Sequence, residues 1–174
     1  MKDFVSKIND HIRVRLRILG DSSCLTVWER IQIAARLNYR QQAAAAIRKR
    51  IKLENGKRYV CIGGNKIFLC DGTKKGDDEY FLSGASLVIA ETFIFPDLFS
   101  GSVVLRPGDV CLDLGANIGT TGLVCSALVG ACGRVIAVEP VVHEVLESNV
   151  AVNRRGNITV IKKAVADSEG AAEI

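Results

Sequence analysis

The sequence predicts an α/β protein. Its carboxyl-terminal part reads as a partial, doubly wound parallel sheet, preceded by a basic helical segment and a β-hairpin. Three observations predict this. Short apolar runs at Val110–Leu114, Val135–Val138 and 158–162 alternate with helix-length segments at 119–129 and 142–154, which is the rhythm of βαβ units in a buried parallel sheet. The first run carries Asp113 near its end, and the second is followed at once by Glu139. Between them lies the turn Gly115-Ala116-Asn117-Ile118-Gly119, which leads into a helix.

The elements come in this order. Residues 4–19 place Phe4, Ile8, Ile12, Leu16 and Leu19 on one helical face, with Gly20 as a stop; residues 12–18 also alternate as a strand would, and helix is preferred. Thr26 and Glu29 have capping-box spacing. No Gly or Pro interrupts the chain from Val27 to Leu53, and Ala43 to Ala46 are strong helix formers, so one helix is expected there, ended by Asn55-Gly56. Arg58 to Ile62 and Lys66 to Cys70 form a hairpin around Gly63-Gly64-Asn65. Residues 71–80 read as a polar loop, and 86–99 as a helix or extended connector that Pro96 interrupts. After Arg106-Pro107-Gly108-Asp109 the βαβ rhythm begins, and a loop opens at Ala164. The chain thus divides into a basic helical segment (1–57), a hairpin and connector (58–105) and a ligand-binding α/β part (106–174).

Composition narrows the class. No apolar run approaches the roughly 18 residues needed to span a bilayer. The amino terminus has no uninterrupted apolar stretch of the secretory kind, so a cytoplasmic protein is expected. The six cysteines form no C-x-x-C pair and the two histidines complete no zinc set, so buried, reduced thiols and no metal are expected. Residues 1–58 carry 14 Lys and Arg against 5 Asp and Glu, whereas 59–174 carry 9 against 14. Basic helices can touch a membrane surface, but a solvated face is the commoner use. No aromatics interleave the basic residues, so no specific nucleic-acid partner is expected.

The site is read from the strand tips. Ligands of parallel α/β sheets sit beyond the carboxyl ends of the strands, where Asp113 and Glu139 stand. Gly115 and Gly119 let backbone approach a ligand, and free N–H groups at the helix start favour a carboxylate such as that of methionine. Glu139 can accept hydrogen bonds from ribose hydroxyls and would repel a 2′-phosphate. A nicotinamide dinucleotide site wants G-x-G-x-x-G, and Asn117 and Thr120 stand where its second and third glycines belong. Acid, turn, strand and acid in this order therefore point to S-adenosyl-L-methionine and to methyl transfer, with NAD-linked oxidoreduction as a third reading. His143, in the first turn of its helix, is read as a surface residue, and no catalytic base is assigned.

The string Asp113-Leu114-Gly115-Ala116-Asn117-Ile118-Gly119 resembles the cofactor signature of the FkbM family of S-adenosylmethionine-dependent methyltransferases. The resemblance extends through Glu139-Pro140, Leu146, Asn149, Asn153, Asn157, Ala164-Val165, Asp167 and Gly170. The hairpin and Glu91-Thr92-Phe93-Ile94-Phe95 are similar to segments that precede the signature in that family. The resemblance implies a Rossmann-like class I methyltransferase fold, and O-methylation of a sugar or secondary-metabolite hydroxyl. It implies that Gly115, Ala116, Asn117 and Gly119 line the methionine moiety, that Asp113 orients the loop and the amino group, and that Glu139 holds the ribose. It also implies that Ala164, Val165 and Asp167 lie near the adenine, with Glu91 as an amino-group contact. The family continues with four more strands, which supply most of the acceptor site and cover the strand at 110–114. A chain stopping at Ile174 is therefore expected to be incomplete and to expose that strand as an apolar edge, open to self-association. A remnant that binds cofactor or a partner without turnover is the alternative.

Overall fold

The computed structural model describes residues 25–34, 38–70, 78–94, 104–168 and 170. The expected helix over 4–19 and Pro96 lie outside them. Among the described residues two short helices come first, α1 (Val27–Ala34) and α2 (Tyr39–Arg48). An antiparallel sheet follows, β1 (Lys52–Glu54), β2 (Lys57–Ile62) and β3 (Asn65–Phe68). The long helix α3 (Asp78–Phe93) leads to the alternating part: β4 (Val110–Leu114), α4 (Thr120–Val129), β5 (Arg134–Val138), α5 (His143–Val152) and β6 (Ile158–Ile161). The last three strands form a parallel sheet in the order β4-β5-β6, with helices packed on it. The molecule is mixed α/β, and its parallel unit is compatible with part of a Rossmann-like sheet.

The capping box closes as its spacing requires. The Glu29 N–H donates to Thr26 Oγ1 at 3.2 Å, and the Thr26 N–H donates to Glu29 Oε2 at 2.8 Å. Arg50 Nη2 adds an ion pair to the same carboxylate oxygen at 2.6 Å. That guanidinium bond is the main reason the Glu29 carboxyl is held down at about 2, with the two Thr26 bonds helping against burial. A depressed carboxyl stabilises the fold above its unfolded pKa, near 4.5, and loses that contribution as pH falls towards 2. Discounted for partial exposure, the loss is about 1–2 kcal/mol. Urea denaturation of the Glu29→Gln variant is expected to lose this acid-side slope, and an unchanged slope would exclude the assignment.

The single helix expected from Val27 to Leu53 is not what forms. Asn38 breaks it with φ −95° and ψ 41°, and α2 ends at Arg48. Lys52–Glu54 instead pair antiparallel with β2, Glu54 opposite Lys57. This leaves Asn55 and Gly56 as a two-residue turn with both φ values positive, at 50° and 77°. Asn-Gly is the preferred pair for such a turn because both central residues must be left-handed. The dipeptide read as a helix stop is thus a hairpin turn. The second turn is also tighter than expected, since Asn65 pairs with Ile62 and leaves only Gly63-Gly64 between the strands. Helix α3 starts at Asp78, inside the expected polar loop, and realises the helical option for 86–93.

The two sheets are joined by asparagines rather than by strand pairing. Asn149 Oδ1 accepts the Phe68 N–H at 2.7 Å, while its Nδ2 donates to Phe68 O at 3.0 Å and Ile118 O at 2.8 Å. One helical turn later, Asn153 Oδ1 accepts the Lys66 N–H at 2.8 Å and its Nδ2 donates to Lys66 O at 2.7 Å. Residues four apart on a helix share a face, and residues two apart on a strand expose the same edge groups. The two carboxamides therefore stand in for a neighbouring strand along the outer edge of β3. Asn157 ties another joint, accepting from Ser126 Oγ at 2.6 Å and donating to Gly130 O at 2.9 Å.

One face of the parallel sheet is left open. Along β4, Cys111 and Asp113 are half-buried, but Val110, Leu112 and Leu114 are 67%, 59% and 54% exposed. Among the described residues β4 is also the edge of its sheet. The cysteines are less uniform than expected: Cys125 is buried and Cys61 and Cys132 are exposed thiols. Burial, with Cys111 alongside, pushes the Cys125 thiol up to about 12. Among the described residues no helix is long and apolar enough to cross a membrane.

Candidate functional site

A cavity of about 400 Å³ lies at the carboxyl end of the parallel sheet. The turn after β4 contributes Asn117 and Ile118, the segment after β5 contributes Glu139, Val141 and Val142, and Ala85 and Val88 of α3 close the far wall with Cys70. This volume is within the range of small-molecule sites, roughly 300–1,000 Å³.

The turn is built by backbone bonds. The N–H groups of Gly115 and Ala116 both donate to Val138 O, at 2.9 and 3.0 Å, which folds the turn over the tip of β5. Gly115, Asn117 and Gly119 hold φ values of 73°, 50° and 89°. Asn tolerates the left-handed region better than most residues, and Asn117 Oδ1 accepts the Ile118 N–H at 2.8 Å. Gly119 has a packing reason besides its dihedral angle: a Cβ there would stand 2.4 Å from Leu146 Cδ1. Around Gly115 there is open space, so only its conformation asks for glycine.

Glu139 is 7% exposed and its carboxylate is the joint of the site. Oε2 accepts the Asn117 N–H at 2.9 Å, and Oε1 accepts the N–H groups of Val141 at 2.8 Å and Val142 at 3.2 Å. It therefore caps the approach to α5 and holds the glycine turn at the same time. A carboxylate offers about four acceptor positions, so roughly one remains for a ligand hydroxyl rather than the two a ribose pair would use.

Asp113 takes a different place. It pairs with Ala137, and Glu139 follows two residues on, so strand alternation assigns both acids to one side of the sheet. Yet the Asp113 carboxyl lies against Gly122 of α4, 3.4 Å from where a Cβ would be, and does not line the cavity. Its Oδ2 is buried without a partner. Burial pushes its pKa up, tempered by the Gly122 N–H.

The other expected positions scatter. Gly115, Ala116 and Gly119 shape the turn without lining the cavity. Ala164, Val165 and Asp167 are exposed in the loop after β6 and do not line it, and Asp167 Oδ1 accepts from Ser168 Oγ. Glu91 pairs with Arg40 at 3.1 Å instead of reaching the cavity. His143 is half-buried, not a free surface residue, and its Nδ1 is buried without a partner. Sequence reasoning missed Cys70, Ala85 and Val88, because an apolar wall residue carries no mark distinguishing it from core.

Fold and cavity together define a class: an α/β protein with a parallel sheet, a glycine turn and a carboxylate at the tip of the neighbouring strand. Comparison with models of known protein families and with curated protein sequences finds no match.

Proposed function

We propose that this chain binds S-adenosyl-L-methionine and forms the cofactor-binding part of a class I, FkbM-like methyltransferase acting on a small-molecule hydroxyl. One observation carries the reading: the Glu139 carboxylate, inside a cavity of about 400 Å³, is fastened by the N–H of Asn117 in the glycine turn. That arrangement joins an acceptor for a ribose hydroxyl to a turn whose Asn117 and Ile118 face the same cavity. The residues present fit the group: Glu139 keeps an acceptor position, Asn117 is exposed, and Ala85, Val88 and Val141 supply apolar walls for a flat base.

When bound, S-adenosylmethionine supplies an electrophilic methyl group for in-line displacement by an acceptor oxygen. The chain's part is to hold and orient. Glu139 fixes the ribose end, and Asn117 and Ile118, the two turn residues that face the cavity, bound the amino-acid end. Alignment of this kind can lower a barrier by about 7–11 kcal/mol at best. The acceptor oxygen's proton needs a general base, and among the described residues the titratable side chains lining the cavity are Glu139 and Cys70.

Isothermal titration with S-adenosylhomocysteine tests the proposal. Saturable binding is expected, at least tenfold weaker in Glu139→Gln, because an amide loses one charged acceptor while keeping the shape. Binding of NAD but not of S-adenosylhomocysteine would overturn it. The open apolar face of β4 favours a second reading, binding without turnover, which predicts the same titration and no methyl transfer.

A further inference from the structure

At the opposite end of the parallel sheet, the amino ends of its strands frame a second cleft of about 700 Å³. Its walls are the turn entering β5 and the turn entering β6. Three lining residues are arginines, Arg134, Arg154 and Arg155, and no Asp or Glu lines the cleft. Among the described residues, none of the three has a carboxylate at ion-pair distance. Arg134 and Arg154 are exposed. Arg155 is half-buried and anchored, its Nη2 donating to the buried Asn65 Oδ1 at 3.2 Å, while its Nε is buried with no partner at all.

The cleft is also rigidly shaped. A Cβ at Gly133 would meet Asp109 O at 2.7 Å and Val129 Cβ at 2.5 Å, so the turn entering β5 is packed without slack. Asn157 bonds Ser126 and Gly130 beneath it. Uncompensated cations along a concave wall focus an attractive field for anions. Guanidinium groups match phosphate oxygens in a planar fork. No aromatic side chain lines the cleft, so stacking of unpaired bases has no platform. The volume suits a small ligand.

We propose that this cleft is a second binding site, separate from the carboxyl-end cavity, for a small phosphate-bearing molecule whose phosphate oxygens are held by the exposed Arg134 and Arg154, with the anchored Arg155 adding positive charge to the wall. Titration of the full chain with inorganic pyrophosphate at fixed ionic strength tests it. Saturable one-to-one binding is expected, weakened at least tenfold in the double variant Arg134→Gln/Arg154→Gln and unchanged in Glu139→Gln. Both substituted arginines are exposed, so the variant is expected to melt like the parent. A second readout uses the parent chain alone. Cys132 lines the cleft and is exposed, whereas Cys61 is exposed on β2. Pyrophosphate is expected to slow alkylation of Cys132 several-fold and to leave Cys61 unaffected. Absence of saturable binding, equal affinity in the double variant, or equal protection of both thiols would overturn the site. Tighter binding of a single-stranded oligonucleotide that pyrophosphate cannot displace would overturn the small-ligand assignment.

Discussion

The Asn149→Leu variant is expected to lose about 3–6 kcal/mol of stability, because one buried and two part-buried backbone groups lose their carboxamide partner. Asn149 is fully buried and serves the Phe68 N–H, the Phe68 carbonyl and the Ile118 carbonyl together. Leucine keeps the branched outline but is bulkier and apolar, and it satisfies none of them. A domain stable by about 5–15 kcal/mol would lose a large part of its margin. The loss should begin at the seam between the sheets, so amide exchange at Phe68 is expected to accelerate before global unfolding. Asn153→Ala is expected to be milder, since Asn153 is half-buried and water can replace part of its bonding. Urea denaturation followed by circular dichroism measures both. A loss below about 1 kcal/mol for Asn149→Leu would mean that the carboxamide is a bystander.

Gly119→Ala is the second large effect. Two penalties coincide at that position. The φ of 89° lies where L-residues are strained, and the new methyl would stand 2.4 Å from Leu146 Cδ1. Backbone strain of about 1–3 kcal/mol and overpacking of about 1–3 kcal/mol give a total of roughly 2–6 kcal/mol. Leu146 is fully buried, so it cannot swing into solvent. Relief requires the Leu146 side chain to repack within the core or α5 to move, and movement of α5 would drag Val141 and Val142 off the Glu139 carboxylate. Loss of S-adenosylhomocysteine binding is therefore expected along with the loss of stability. Gly115→Ala makes the comparison, because nothing lies near its new methyl and only the dihedral strain remains. If the packing argument holds, adding Leu146→Ala to Gly119→Ala recovers part of the combined loss in a double-mutant cycle, while adding it to Gly115→Ala recovers none. Equal destabilisation by the two glycine substitutions would rule out the Leu146 contact as the cause.

Much of the chain's local order is legible in its residues. The Thr26–Glu29 box and the run β4-α4-β5-α5-β6 follow from neighbours within a few residues, where periodicity and capping chemistry act. The strand-tip position of Glu139 and the glycine turn were legible for the same reason. Asn55-Gly56 was visible too, but its meaning depended on whether Lys52–Glu54 would find a partner strand, and the helix-forming residues upstream argued the other way.

What the residue order determined by itself is the sequence of element types in the carboxyl-terminal half and the two acids beside a glycine bend. Only the tertiary structure decided what those groups do. It turned Asp113 against Gly122 rather than into the cavity, and spent most of the Glu139 carboxylate on backbone amides. It also gave Asn149 its partner 81 residues away and gathered Arg134, Arg154 and Arg155 around one cleft. The division has one physical reason. Dihedral preference and hydrophobic period act along the chain over a few residues, whereas hydrogen-bond satisfaction and packing are decided between segments that meet only when helices dock on sheets.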